Sequence, residues 1–202
     1  MAGKHKRSHV IDGVEATSDT LTSRGGLTLF VRYLRNIAIY PVLARRFGSI
    51  RKNAKGKPVS EIFKQVFCFL LAGTSRHLVY FDALKKDEGY AAAIETAPDQ
   101  MLPSHAVKRF FGAFSWYRIW LFRSLLQQLF RWRLQMRKPK VVVLGMDTDE
   151  LVHRGLKDFG FEELPFLRLA PNAALSYTTL AAFFPFECFK EDVCGEVIPV
   201  EA

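Results

Sequence analysis

Only one segment of this 202-residue chain reads as a clear β-strand, the β-branched run Lys140–Leu144 (KVVVL). A strand of this kind is expected to be buried on both faces, and its backbone N–H and C=O groups then need neighbouring strands. The rest of the sequence offers few candidates for that role. It carries helical periodicity broken by glycine and proline, so the expected fold is mainly α with a small α/β remnant near the C-terminus.

The helical reading starts at Gly25-Gly26, after a polar, basic stretch (residues 1–20) expected to be disordered. Leu27, Phe30, Leu34 and Ile37, with Val31, fall on one face of a first helix, which Pro41 either kinks or separates from a short successor. Residues 51–58 (RKNAKGKP) form a basic loop. Ser60 is an N-cap candidate for a helix to about Ala72, with Ile62, Val66, Phe69 and Leu70 inward and Gly73 at its end. Shorter helices follow around 78–84 and 90–95. Ser104 is expected to cap a helix carrying Lys108-Arg109-Phe110-Phe111, and a long aromatic helix covers about 115–137. Beyond the strand, helical pattern returns over 149–159 and 172–190.

Charge divides the chain. Residues 1–140 hold 25 Lys+Arg against 9 Asp+Glu, a balance of +16, whereas residues 141–202 hold 4 against 11, a balance of −7. Basic charge interleaved with aromatics is the footprint of a phosphate-backbone binder, and it is also what a well-solvated basic surface looks like. Cys68, Cys188 and Cys194 form no CxxC pair, and no histidine stands at a zinc-ligand spacing from them. Reduced, mostly buried thiols in a cytoplasmic protein are expected. No signal-peptide pattern opens the chain. Leu169–Phe186 carries no charge across eighteen residues, but its Pro, Asn, Ser, Tyr and Thr content favours a buried helix over a membrane span.

The acidic group Asp147, Asp149 and Glu150 (MDTDE) lies just past the strand. Carboxylates at the carboxyl end of a buried strand suit a magnesium ion, and two-metal phosphoryl transfer needs several of them converging. The same residues also suit a helix N-terminus, capping it and complementing its dipole. Glu150, Arg154 and Lys157 follow at i, i+4 and i+7 on one helix face. That spacing fits a DNA-cutting site and equally an ordinary solvated salt-bridge face.

Four stretches, in order, carry a family resemblance: Leu21–Leu27 (LTSRGGL); Leu71–Leu78 (LAGTSRHL) continuing to Asp87–Tyr90 (DEGY); Val141–Thr148 (VVVLGMDT); and Glu150–Pro199. Within the last, Leu164-Pro-Phe, Pro171-Asn-Ala-Ala and Phe189-Lys-Glu-Asp-Val stand out. The chain resembles the DDE transposases of bacterial insertion sequences whose terminal carboxylate lies in an E-x6-K signature. By that resemblance Asp147 corresponds to the first catalytic Asp, Glu150 to the Glu and Lys157 to the Lys, with Asp147 and Glu150 as ligands of the family's Mg²⁺.

The departure from the family is as informative as the match. In the family a long stretch between the first Asp and the Glu carries most of a ribonuclease H-like sheet and the second catalytic Asp. Here Glu150 follows Asp147 by three positions, and no residue corresponds to the second Asp. The resemblance therefore implies a disordered basic tail (1–20), a helical DNA-binding region (21–138) and a truncated remnant of the ribonuclease H-like α/β catalytic domain (139–202). Asp147, Glu150 and Lys157 would be vestigial, with no functional Mg²⁺ expected. Candidate phosphate contacts are Arg76, Lys108, Arg109, Arg118, Arg123, Arg131 and Arg133, the 104–111 helix being either a recognition helix or an ordinary one. Trp116, Trp120 and Trp132 are expected in the core. The implied partners are DNA (the ends of a transposable element) and a full-length transposase or a second copy of the chain, with no membrane. Transposition is the parent function. A non-catalytic DNA-binding regulator is the alternative, and so is a decayed product whose 172–189 helix and 141–144 strand have lost their packing partners.

Overall fold

A computed structural model describes residues 22–50, 56–75, 77–139 and 165–194. Helix accounts for 77% of the described residues and no strand occurs among them, so this part of the chain is all-α. The expected strand at 140–144 and the helix at 149–159 lie outside the described residues.

The first two helices are α1 (Gly26–Asn36) and α2 (Ile39–Phe47). Leu27, Phe30, Val31 and Leu34 are buried, as the periodicity predicts. The break between them is not made by Pro41. Ala38 takes a left-handed conformation (φ 54°), and Pro41 sits in the first turn of α2. Backbone N–H groups there lack an intrahelical acceptor, so a missing one costs little.

Helix α3 (Val59–Ala72) begins one residue before the expected cap, and no side chain caps it. It stops at Gly73, whose positive φ (59°) suits glycine at a helix end. Short turns lead through α4 (Phe81–Leu84) and α5 (Glu88–Ala93) to α6 (Ser104–Gly112) and the long α7 (Trp116–Arg137). Helix α8 (Leu169–Phe189) closes the described fold.

The position of α8 changes the domain picture. It packs against α7, α3, α6 and α1, and its Ala174, Ala181, Ala182 and Phe189 belong to the same core cluster as Leu27, Phe63 and Phe122. The boundary drawn at 138/139 therefore does not separate two cores among the described residues. The expectation that the 172–189 helix lost its packing partners is corrected too: its small alanines let neighbouring helices approach closely. At the centre, Phe122 stands 4.5 Å from Phe47, 5.6 Å from Phe114 and 5.9 Å from Tyr177 of α8, ring centroid to centroid. No single helix among the described residues is long and apolar enough to cross a membrane; α1 and α2 pass by length and composition only as a pair bent by 69°.

Several residues of the stretches that carried the family resemblance act as clasps between helices. Arg24 donates to Asp87 Oδ2 (2.9 Å) and Thr74 Oγ1 (3.2 Å), and its guanidinium lies 5.3 Å from the centre of the Tyr90 ring. The LTSRGGL, LAGTSRHL and DEGY stretches thus meet at one side chain. Asn172 is buried and donates to the carbonyls of Phe166 (2.6 Å) and Arg168 (3.2 Å), while its oxygen accepts from the Phe166 N–H (3.1 Å). This fixes the chain's entry into α8. Past its end, Asp192 accepts from Tyr33 (2.8 Å) and Arg133 (2.8 Å), while Glu191 accepts from Arg133 and Arg137.

Carboxylates in such clasps make the fold sensitive to acid. The hydrogen bonds from Arg32 and Arg35 hold the Glu95 carboxyl below its ordinary range. The Ser104 hydroxyl and backbone N–H do the same for Asp82. Unfolded, both groups titrate near their ordinary values of about 4. The unfolded chain then binds more protons than the folded one over the interval between the two values. Their contribution is complete above that interval and is lost as pH falls through the lowered folded values. Thermal melts should therefore be nearly flat between about pH 5 and 7 and decline below about pH 4. Asp82→Asn should make the acid decline shallower; an unchanged acid limb in that variant would show that Asp82 contributes nothing to it.

Candidate nucleic-acid interface

Helix α6 owes its start to a neighbour rather than to its own cap. Asp82 accepts from the Ser104 backbone N–H (2.9 Å) and from its hydroxyl (2.6 Å), so Ser104 is the first helical residue and the cap arrives from α4. Val107, Phe110 and Phe111 turn inward. Lys108 and Arg109 are exposed and pair with no carboxylate among the described residues.

Helix α7 carries five arginines and no acidic residue, and the structure divides the arginines into two groups. Arg118 donates to the carbonyls of Ala113 (2.9 Å) and Ser49 (3.1 Å), fastening the helix start to the turn that follows α2. The Arg133 side chain is 13% exposed and is held by Asp192 and Glu191; Arg137 joins the same cluster. Burial opposes the Asp192 charge, but the hydrogen bonds from Arg133 and Tyr33 outweigh it and hold the carboxyl below its usual range. Arg118 and Arg133 thus act as ties between parts of the fold, with donors engaged inside the protein. Arg123 and Arg131 remain exposed, and Arg123 lies 5.6 Å from the centre of the Trp120 ring.

The tryptophan expectation is also corrected. Trp116 and Trp120 are 57% and 64% exposed, and Tyr117 is 80% exposed; Trp132 is half-buried. The reason is the narrow contact stripe of α7: only Ile119, Phe122, Leu125 and Leu129 are buried. Their spacings of three, three and four residues define one face, and Trp116, Trp120 and Arg123 fall on the opposite one. That spacing was present in the sequence. The abundance of apolar residues all round the helix concealed it.

The remaining candidates fall outside this picture. Asp147, Glu150, Lys157 and Arg76 lie outside the described residues. Among the described residues no group of three or more His, Cys, Asp or Glu is placed to hold a metal ion. Cys68 and Cys188 are buried and free, and burial pushes their thiols up to about 12 and about 11, so neither is poised as a nucleophile. An open cavity of about 320 Å³ beside α1, lined by Leu27, Phe30, Leu71 and Phe189 among others, has Ser23 and the already bonded Arg24 as its polar side chains. It has no acid–base pair. Comparison with known protein families, curated proteins and solved structures finds no match for this chain.

Proposed function

We propose that the chain is a DNA-binding protein of the transposase kind that no longer cleaves strands. The observation that carries this reading is the set of exposed cations Lys108, Arg109, Arg123 and Arg131, which form no salt bridge among the described residues, within a region whose charge balance is +16. The ordered resemblance to DDE transposases supports it. Residues 139–202 are read as the joined ends of a ribonuclease H-like domain, with α8 buried against the N-terminal helices in place of the missing sheet. The three-position interval from Asp147 to Glu150, with no second Asp, supports the loss of cleavage. A chain that keeps a closed core and binds without cutting would act as a regulator, competing with an intact enzyme for the same DNA.

Gel-shift titration of the purified protein on duplex DNA tests the reading. Binding should weaken steeply with salt, and neutralising Lys108 or Arg109 should each lower the salt slope by about 0.9 if each contacts one phosphate. Duplex binding insensitive to both substitutions would reject these contacts. Mg²⁺-dependent nicking of element-end DNA that disappears in Asp147→Ala would reject the loss of cleavage.

A further inference from the structure

We infer that the outward face of α7 binds single-stranded DNA, with bases stacking on Trp116 and Trp120. This deepens the DNA-binding reading and rests on it. Trp116, Trp120, Arg123, Phe130 and Arg131 stand at i, i+4, i+7, i+14 and i+15 and form one stripe along the helix. The stripe is about 22 Å long at the helical rise of about 1.5 Å per residue. Trp116, Trp120 and Phe130 are 57%, 64% and 41% exposed, so their rings are accessible from solvent.

Charge selects the occupant. The helix has no acidic residue, and its two exposed arginines that form no salt bridge among the described residues, Arg123 and Arg131, both lie on this stripe. Flat aromatic rings with guanidinium groups beside them match a strand that offers both bases and phosphates. Every base has a π-face, so the stacking tolerates sequence, while duplex DNA keeps its bases stacked on each other and offers them no such platform. Arg123 lies over one face of the Trp120 ring, so a base would stack on the other face with the guanidinium beside it to meet a phosphate.

The test uses the full chain, an oligothymidine strand and a duplex of equal length, read by tryptophan fluorescence and by anisotropy. Single-strand binding should quench the tryptophan emission. Trp120→Ala should weaken it about tenfold, Trp120→Phe should restore most of the loss, and duplex binding should change little. Trp120 is 64% exposed, so both variants are expected to keep the wild-type circular dichroism spectrum. Unchanged single-strand affinity in Trp120→Ala, with duplex binding intact, overturns the stacking inference and leaves the DNA-binding reading standing. A wild-type dimer in sedimentation that dissociates on Trp120→Ala also overturns it, by assigning the face to a second copy. Failure to bind either nucleic acid overturns both readings.

Discussion

Phe122→Ala is expected to destabilise the protein by about 3–5 kcal/mol, the range for removing a fully buried phenylalanine. For a chain of this size that lowers the melting temperature by about 8–15 °C. Phe122 is wholly buried and sits where three parts of the fold meet: Phe47 from α2, Phe114 from the loop before α7, and Tyr177 from α8. Its ring partners are rigid aromatics, which reorient little to fill the void. Phe122→Leu, which keeps most of the volume, should lose much less. Thermal melts of the two variants followed by circular dichroism provide the measurement. Equal melting temperatures for wild type and Phe122→Ala would mean that α8 does not pack on α7 as described. The effect also bears on function, because α7 is the platform for the proposed strand-binding face.

Gln65→Leu should be nearly as damaging, about 2–4 kcal/mol, although it adds apolar surface to a core position. Gln65 has no exposed surface. Its amide donates to Glu61 Oε1 (2.9 Å) and the Gln100 carbonyl (3.1 Å), and its oxygen accepts from the Leu102 N–H (2.9 Å). Leucine fills the space but leaves the Leu102 donor and the Gln100 acceptor unmatched in a water-poor site. Neighbouring Lys64 is buried as well and reaches Glu61 (3.0 Å) and the Glu95 carbonyl (3.1 Å), so the loss spreads through a shared network. Urea unfolding should show a lower midpoint with little change in slope. A midpoint equal to or above the wild type's would show that these hydrogen bonds contribute little net stability.

Gln65 also shows where sequence reading ran short. Periodicity placed α3 correctly and put Ile62, Val66 and Phe69 inward. The helix is nevertheless buried all round from Ile62 to Phe69, polar residues included. The composition VSEIFKQVFCFLLA, apolar on nearly every face, carried that information, because such a helix belongs in an interior. Its polar residues must then find partners. Which partners they find, the loop carbonyls and N–H groups of 95–102, follows from no pattern along the chain.

The same division holds for the candidate interface. From the sequence alone came the helical character, the places where most helices start and stop, the basic N-terminal portion and the absence of acid from α7. These are local properties, set by side-chain spacing, backbone preference and counted charge. Tertiary packing decided which arginines remain available. Arg118 is tied to the Ser49 carbonyl and Arg133 to the carboxylates of Glu191 and Asp192, all distant in sequence, while Arg123 and Arg131 stay exposed. It also decided which tryptophans face outward and that α8 completes the core of the N-terminal helices. The lone strand-like segment at 140–144 set the expectation of a separate α/β remnant; the described helix beyond it, α8, took its burial from α7 and α3 instead. Burial depends on which surfaces meet, and that is a property of the assembled helices, which no stretch of residues states by itself.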